Sequence, residues 1–283
     1  MARARQPAKP KPKAKPRPKA KRAPKRQPKR ILNCIPSQER EDDWRIDTAE
    51  DAGVVASAPR IPVRKDLRAF WWRVQDQGST GSCVGWACAD AVLRWHFVKT
   101  NRIGRNELLS PRFQWLAAKE TDEFSSRPTT FVEAEGTSLK AALDVSRKFG
   151  AVKDTVLPFA TGVPYRGDAK TFYAIAAQLK ITMYFNLGRN IESWRVWLAT
   201  KGPILTRLNV DSTWEKATAT KGALDVYKPK TARGGHAVAL VGYTPDSFIV
   251  RNSWGTGWGD RGFAYASLPY AQEAFTEAYG IEP

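Results

Sequence analysis

The apolar positions of this chain change period about halfway along it. Over 83–99, 110–121 and 138–149 they recur at helical spacing, the third stretch being started by Thr137-Ser138 and stopped by Gly150. Beyond 200 they gather into short runs bounded by turn residues. Segments 203–210, 236–243, 247–252 and 263–265 read as strands. Helices first and strands afterwards predict an α+β chain with a helical lobe followed by a sheet lobe. Thr244-Pro-Asp-Ser247 separates two of the strands and reads as a hairpin turn. That hairpin sets its two outer ends, His236 and Asn252, side by side.

Composition divides the chain before residue 59. Residues 1–30 hold fourteen Lys or Arg, seven Pro, six Ala, two Gln, one Met and no acidic residue. Such a segment cannot form a core and is expected to be a disordered, extended basic tail. It carries fourteen of the positive charges behind the formal net charge of +18, so the basicity belongs mainly to the tail. A tail of this kind would bind nucleic acid or another polyanion by phosphate neutralisation, with strong salt dependence. A solubilising tether with no fixed partner fits it equally well. No aromatic residue interleaves it for base stacking.

Residues 31–58 form a second segment with an apolar start and a cluster of acidic residues that includes Glu39, Glu41, Asp42 and Asp43. They are expected to contain a short helix and to pack on the outside of the following domain, or else to fold back on the basic tail. Residues 59–283 suffice for one two-lobed domain, expected to be monomeric.

Other classes are disfavoured. The basic stretch lacks the apolar region of a secretory signal, and no apolar run is long enough to span a bilayer. Three cysteines without paired spacing give neither a disulfide framework nor a metal-ligand cluster. A reducing, cytoplasmic location follows by elimination. No cofactor or metal is implied.

The candidate chemistry lies at Cys83. The run Gln77-Gly-Ser-Thr-Gly-Ser-Cys83 is a flexible turn entering a helical stretch, which places the sulfur at a helix start where the positive end of the dipole favours thiolate. A thiol nucleophile needs a base within reach and a group that orients the base. Of the two histidines, His96 lies thirteen residues further along the same helix. That is roughly 20 Å, so His96 reads as structural and His236 is the candidate base. Cys88 points to another face of the helix and reads as packing. Cys34 reads as a spare thiol.

These residues carry a resemblance. Gln77 to Cys83, Gly235-His236-Ala-Val and Asn252-Ser-Trp254-Gly-Thr-Gly-Trp-Gly259 together resemble the papain-like cysteine peptidases, and Lys65-Asp-Leu-Arg68 resembles the mature start of bacterial members. The order is that of the family and the spacing somewhat long. The resemblance implies a two-lobed fold, with the cysteine on a helical lobe, the histidine on an antiparallel β lobe and the active site in the cleft between. It implies Cys83 as nucleophile, His236 as base and then acid, Asn252 as orienter, Trp254 as its shield and Gln77 as oxyanion donor. Gly136 would contact an extended protein or peptide substrate through its backbone, and Arg207 would line a specificity pocket that favours acidic side chains. Two family features are absent. Thr80 stands where the family has a disulfide-forming cysteine, and Val84 replaces the aromatic after the nucleophile. The family's inhibitory propeptide is longer than residues 31–58.

The implied function is peptide-bond hydrolysis, with amidase and transamidase outcomes left open. The alternative is a polyanion-binding protein that uses an inactive papain-like scaffold.

Overall fold

The computed structural model describes residues 30–56, 60–122, 132–160 and 162–283. The basic tail up to residue 29 lies outside the described residues.

The helical lobe is built as the periodicity predicts. One continuous helix over 83–99 is α-helical at Cys83–Gly85, π-helical at Trp86–Leu93 and α-helical again at Arg94–Lys99. It is followed by Pro111–Glu120, where the Ser110 hydroxyl accepts from Phe113 N, and by Leu139–Lys148, where the Ser138 hydroxyl accepts from Ala141 N. Both are side-chain N-caps, which satisfy donors that the first helical turn leaves open.

Eight strands make the second lobe: β1 (Lys65–Asp66), β2 (Met183–Asn186), β3 (Ile204–Val210), β4 (Ala223–Leu224), β5 (Gly234–Tyr243), β6 (Ser247–Arg251), β7 (Phe263–Ser267) and β8 (Phe275–Glu282). They lie in the order β2-β8-β3-β5-β6-β7-β4, with β1 on β5, and all pairs are antiparallel except β4 with β7. β5 and β6 form the expected hairpin, pairing Tyr243 with Phe248 and Ala239 with Arg251.

The central strands are buried on both faces. Ala237, Ala239 and Val241 of β5 join the core shared with the helix over 83–99, while Val238 and Leu240 face Trp194 and Trp197 on the other side. The long helix therefore lies directly against the strand that carries His236.

An ionic cluster pins the two together. Arg251, at the end of β6, donates to Asp90 Oδ2 at 2.6 Å, and Arg94 reaches Asp90 Oδ1 at 3.4 Å. All three side chains are buried. The Asp90 backbone carbonyl also accepts from Trp72 Nε1 at 2.9 Å, and Arg251 stacks over the Trp72 ring.

The start of the chain departs from expectation. A short helix at Ile46–Asp51 does form, and Ala49 is buried in the sheet-lobe core. Residues 30–37, however, do not pack on the outside. They run between the lobes, against Gly235 on one side and Thr137 on the other.

Candidate active site

The loop ahead of Cys83 is held by its own hydrogen bonds. Thr80 Oγ1 donates to Gln77 O at 2.9 Å, and Gln77 Nε2 donates to Thr80 O at 3.0 Å. These reciprocal bonds brace the turn at the position where the resemblance would put a disulfide, and all three cysteines are free. Ser253 Oγ donates to Gln77 Oε1 at 2.7 Å. Because Thr80 O can only accept, the Gln77 amide has one orientation, and one of its two N–H hydrogens is left uncommitted.

His236 enters from β5 and Asn252 follows directly on β6. Asn252 Oδ1 lies 2.8 Å from His236 Nε2 and also accepts from Ser253 N at 2.8 Å. An atom that accepts from a backbone N–H must be the amide oxygen, so Nε2 carries a hydrogen. Nδ1 is then the ring nitrogen free for proton transfer. It is buried with no hydrogen-bond partner among the described residues, and the imidazole helps hold the Cys83 thiol in its charged form.

Cys83 is fully buried, and its thiol is held well below the usual range. The largest cause is the neighbouring Cys34 thiol. Burial opposes it, while His236 and the Ala237 N–H reinforce it. Burial, followed by the Cys83 sulfur, pushes Cys34 upward. The proton therefore sits on Cys34 and the charge on Cys83.

Three tryptophans enclose the imidazole. Trp254 lies 4.9 Å from the His236 ring, Trp214 meets it edge-on at 5.6 Å, and Trp258 stacks on Trp214 at 4.9 Å. Trp214 is fixed by Tyr270, whose hydroxyl accepts from Trp214 Nε1 and donates to Asp211. Trp214 has no sequence signal of its own. His96 is buried elsewhere against Trp95, and burial lowers its pKa to about 3. Cys88 contacts Ser146, and burial pushes its pKa up to about 12.

The cleft holds residues 30–37 as an extended chain. Arg30 forms an ion pair with Asp76 at 2.5 Å, donates to Gly78 O and Trp254 O, and lies over the Trp254 ring. Asn33 pairs with Gly235, Cys34 N donates to Gly235 O at 3.0 Å, and Ile35 N donates to Thr137 O at 3.2 Å. Ser37 binds Glu277 through both its N–H and its hydroxyl. Cys34, expected to be a spare thiol, thus lies in the cleft and acts on the ionisation of Cys83. The sequence signal was an apolar start, Ile31-Leu-Asn-Cys-Ile35, that an exposed linker has no need of. Two cavities of about 420 and 530 Å³ lie away from Cys83.

Gly136 and Arg207 both face this segment. A Cβ on Gly136 would coincide with the Asn33 carbonyl oxygen, so a side-chain-free residue is required there. The backbone it admits is this chain's own. Arg207 Nε donates to Cys34 O at 2.9 Å, and its guanidinium is further held by Thr276. Its cross-strand neighbour is Glu277, so this wall of the cleft carries both signs of charge rather than the positive pocket expected.

Comparison with known proteins gives a family and a fold. A family model described as papain family cysteine protease matches residues 61–277. Cathepsin F of Drosophila melanogaster is 25% identical over 80% of this chain, and an uncharacterized peptidase C1-like protein of Acanthamoeba polyphaga mimivirus is 27% identical over 69%. The chain spans 37% and 63% of those two relatives, less than two thirds of either. Xylellain, a cysteine protease from Xylella fastidiosa, superposes with a TM-score of 0.71 at 22% identity, covering 92% of this chain and 98% of xylellain.

Proposed function

The chain belongs to the papain family of cysteine proteases, and on that premise we propose that it hydrolyses peptide bonds by a thiolate acyl-enzyme mechanism at Cys83. The observation that carries the reading is the His236–Asn252 hydrogen bond beside a Cys83 thiol that His236 helps hold low, in a cleft that already binds extended polypeptide.

In this mechanism the Cys83 sulfur attacks the scissile carbonyl carbon. The uncommitted hydrogen of Gln77 Nε2 and the Cys83 N–H stabilise the resulting oxyanion. His236, protonated at Nδ1, gives that proton to the leaving amine as the carbon–nitrogen bond breaks. It then takes one from water, whose oxygen attacks the thioester and frees the acid. Asn252 keeps the hydrogen of Nε2 in place throughout, so Nδ1 always faces the sulfur. The tryptophans exclude water from the Nε2–Oδ1 bond, which strengthens it.

Replacing Gln77 by Ala is expected to lower kcat by ~10²–10³ with little change in KM, because it removes a donor used mainly in the transition state. Steady-state kinetics on a fluorogenic peptide measures this. An unchanged kcat would remove Gln77 from the mechanism.

The state described here is latent. Residues 30–37 cover Cys83, and Arg30 closes the end of the cleft beside Gln77. Arg30→Ala removes charge-assisted bonds worth about 1.5–3 kcal/mol. Labelling of Cys83 by a peptidyl epoxide should accelerate by about tenfold to a hundredfold. Equal labelling rates in both proteins would show that Arg30 does not hold the cleft shut.

The scaffold alternative has no observation in its favour. It leaves the fixed tautomer of His236 and the depressed thiol of Cys83 without a purpose.

A further inference from the structure

We propose that Cys34 is an oxidative cross-linking site, forming a disulfide with Cys83 that locks the latent state covalently until a thiol reductant releases it. The proposal rests on the reading of Cys83 as a nucleophile and adds a regulation of that same site.

The placement of Cys34 is fixed from both lobes. Asn33 Nδ2 donates to Ala134 O, and a Cβ on Gly81, two residues before Cys83, would strike that same oxygen. On the other side, Cys34 N donates to Gly235 O, one residue before His236, and Arg207 holds the Cys34 carbonyl. These bonds set Cys34 in the cleft beside Cys83, close enough that each sulfur shifts the ionisation of the other. Both sulfurs are buried among the same core residues. A disulfide needs the sulfurs at about 2.05 Å, so the two side chains must close on each other as the bond forms, with the Cys34 main chain held in place by Gly235 and Arg207.

The chemistry suits the pair. Only one thiol should be ionised, and the other should be held beside it to resolve the oxidised product. With hydrogen peroxide as oxidant, the Cys83 thiolate attacks one peroxide oxygen. The S–O bond forms, the O–O bond breaks, and the departing hydroxide takes a proton from the His236 imidazolium as water. Cys34 sulfur then attacks the sulfenic sulfur of Cys83. The S–S bond forms, the S–O bond breaks, and the hydroxyl leaves as water with the proton of Cys34. Two thiols and one peroxide give one disulfide and two waters. A small dithiol reverses it by two exchange steps. The bridge also prevents further oxidation of Cys83 to sulfinic acid.

The test uses the full chain treated with hydrogen peroxide, quenched with N-ethylmaleimide and measured by intact mass and peptide mapping. The wild type should lose about 2 Da, with a peptide joining Cys34 to Cys83. Its peptidase activity should vanish and return with dithiothreitol. Cys34→Ser should instead gain about 32 Da at Cys83, and dithiothreitol should not restore its activity. Sulfinic acid at Cys83 with a maleimide-labelled Cys34 in the wild type would overturn the proposal. So would a bridge to Cys88, or an unchanged mass at excess peroxide. Before oxidation, peptide cleavage by Cys34→Ser tests the catalytic reading separately. Cleavage there without a bridge in the wild type fails only the proposal. A bridge with no cleavage in any variant fails only the peptidase reading.

Discussion

Replacing Cys83 by Ser or His236 by Ala should lower peptide hydrolysis by about 10⁴–10⁶, each substitution costing nearly as much as the two together. The non-additivity follows from the geometry. Without His236 the sulfur loses both its proton acceptor and the interaction that helps hold it ionised. Without Cys83 the imidazole has nothing to activate. Because the Cys83 thiol is held below its usual range, alkylation in Arg30→Ala should persist at pH values where an ordinary thiol is protonated. The rate should fall as pH drops through the depressed pKa. In Arg30→Ala/His236→Ala that acid limb should move to higher pH. Rates of chloroacetamide alkylation across pH, together with steady-state kinetics, measure both effects. An acid limb at the same pH in both proteins would mean that His236 does not share in activating Cys83.

The second large effect falls on stability. Asp90→Ala would leave the Arg94 and Arg251 guanidinium groups buried without their carboxylate partner. Breaking a buried pair in this way costs about 3–5 kcal/mol. At this chain length that amounts to a fall in Tm of roughly 5–10 °C. The loss should reach the active site as well, because Arg251 directly precedes Asn252 and ties it to the helix of Cys83. Differential scanning calorimetry with peptidase assays below the transition would show both. Unchanged stability would mean that the arginines find full compensation from backbone carbonyls, several of which they already contact.

Much of this was legible in the residues. The three helices of the first lobe stand within a residue or two of their expected bounds, because Ser110, Ser138 and Gly150 are punctuation with a physical cause. The β5–β6 hairpin was equally legible, since its turn lies between two unbroken apolar runs.

The rest was hidden for identifiable reasons. β2 and β8 are buried on both faces, so they show no alternation, and β8 carries a buried Glu277 that disguises it further. Glu277 becomes intelligible only when Ser37 is seen to bind it. Trp214 gave no signal because its role depends on Tyr270 and Asp211, brought together only by the fold. The path of residues 30–37 was misjudged on length. A helical inhibitory domain does need more residues, but filling the cleft takes only an extended strand with a residue able to seal each end. Arg30 and Ser37 are those residues.

On the proposed mechanism Cys83 is an activated thiolate in a peptide-binding cleft that the chain's own residues 30–37 cover. Intact-mass labelling with a peptidyl epoxide, run in parallel on wild type, Arg30→Ala, Cys83→Ala and His236→Ala, tests it most directly. One adduct is expected, mapped to Cys83, that forms slowly in the wild type, faster in Arg30→Ala, and in neither of the other two. No adduct in wild type or Arg30→Ala, or an adduct mapped to Cys34, would contradict it.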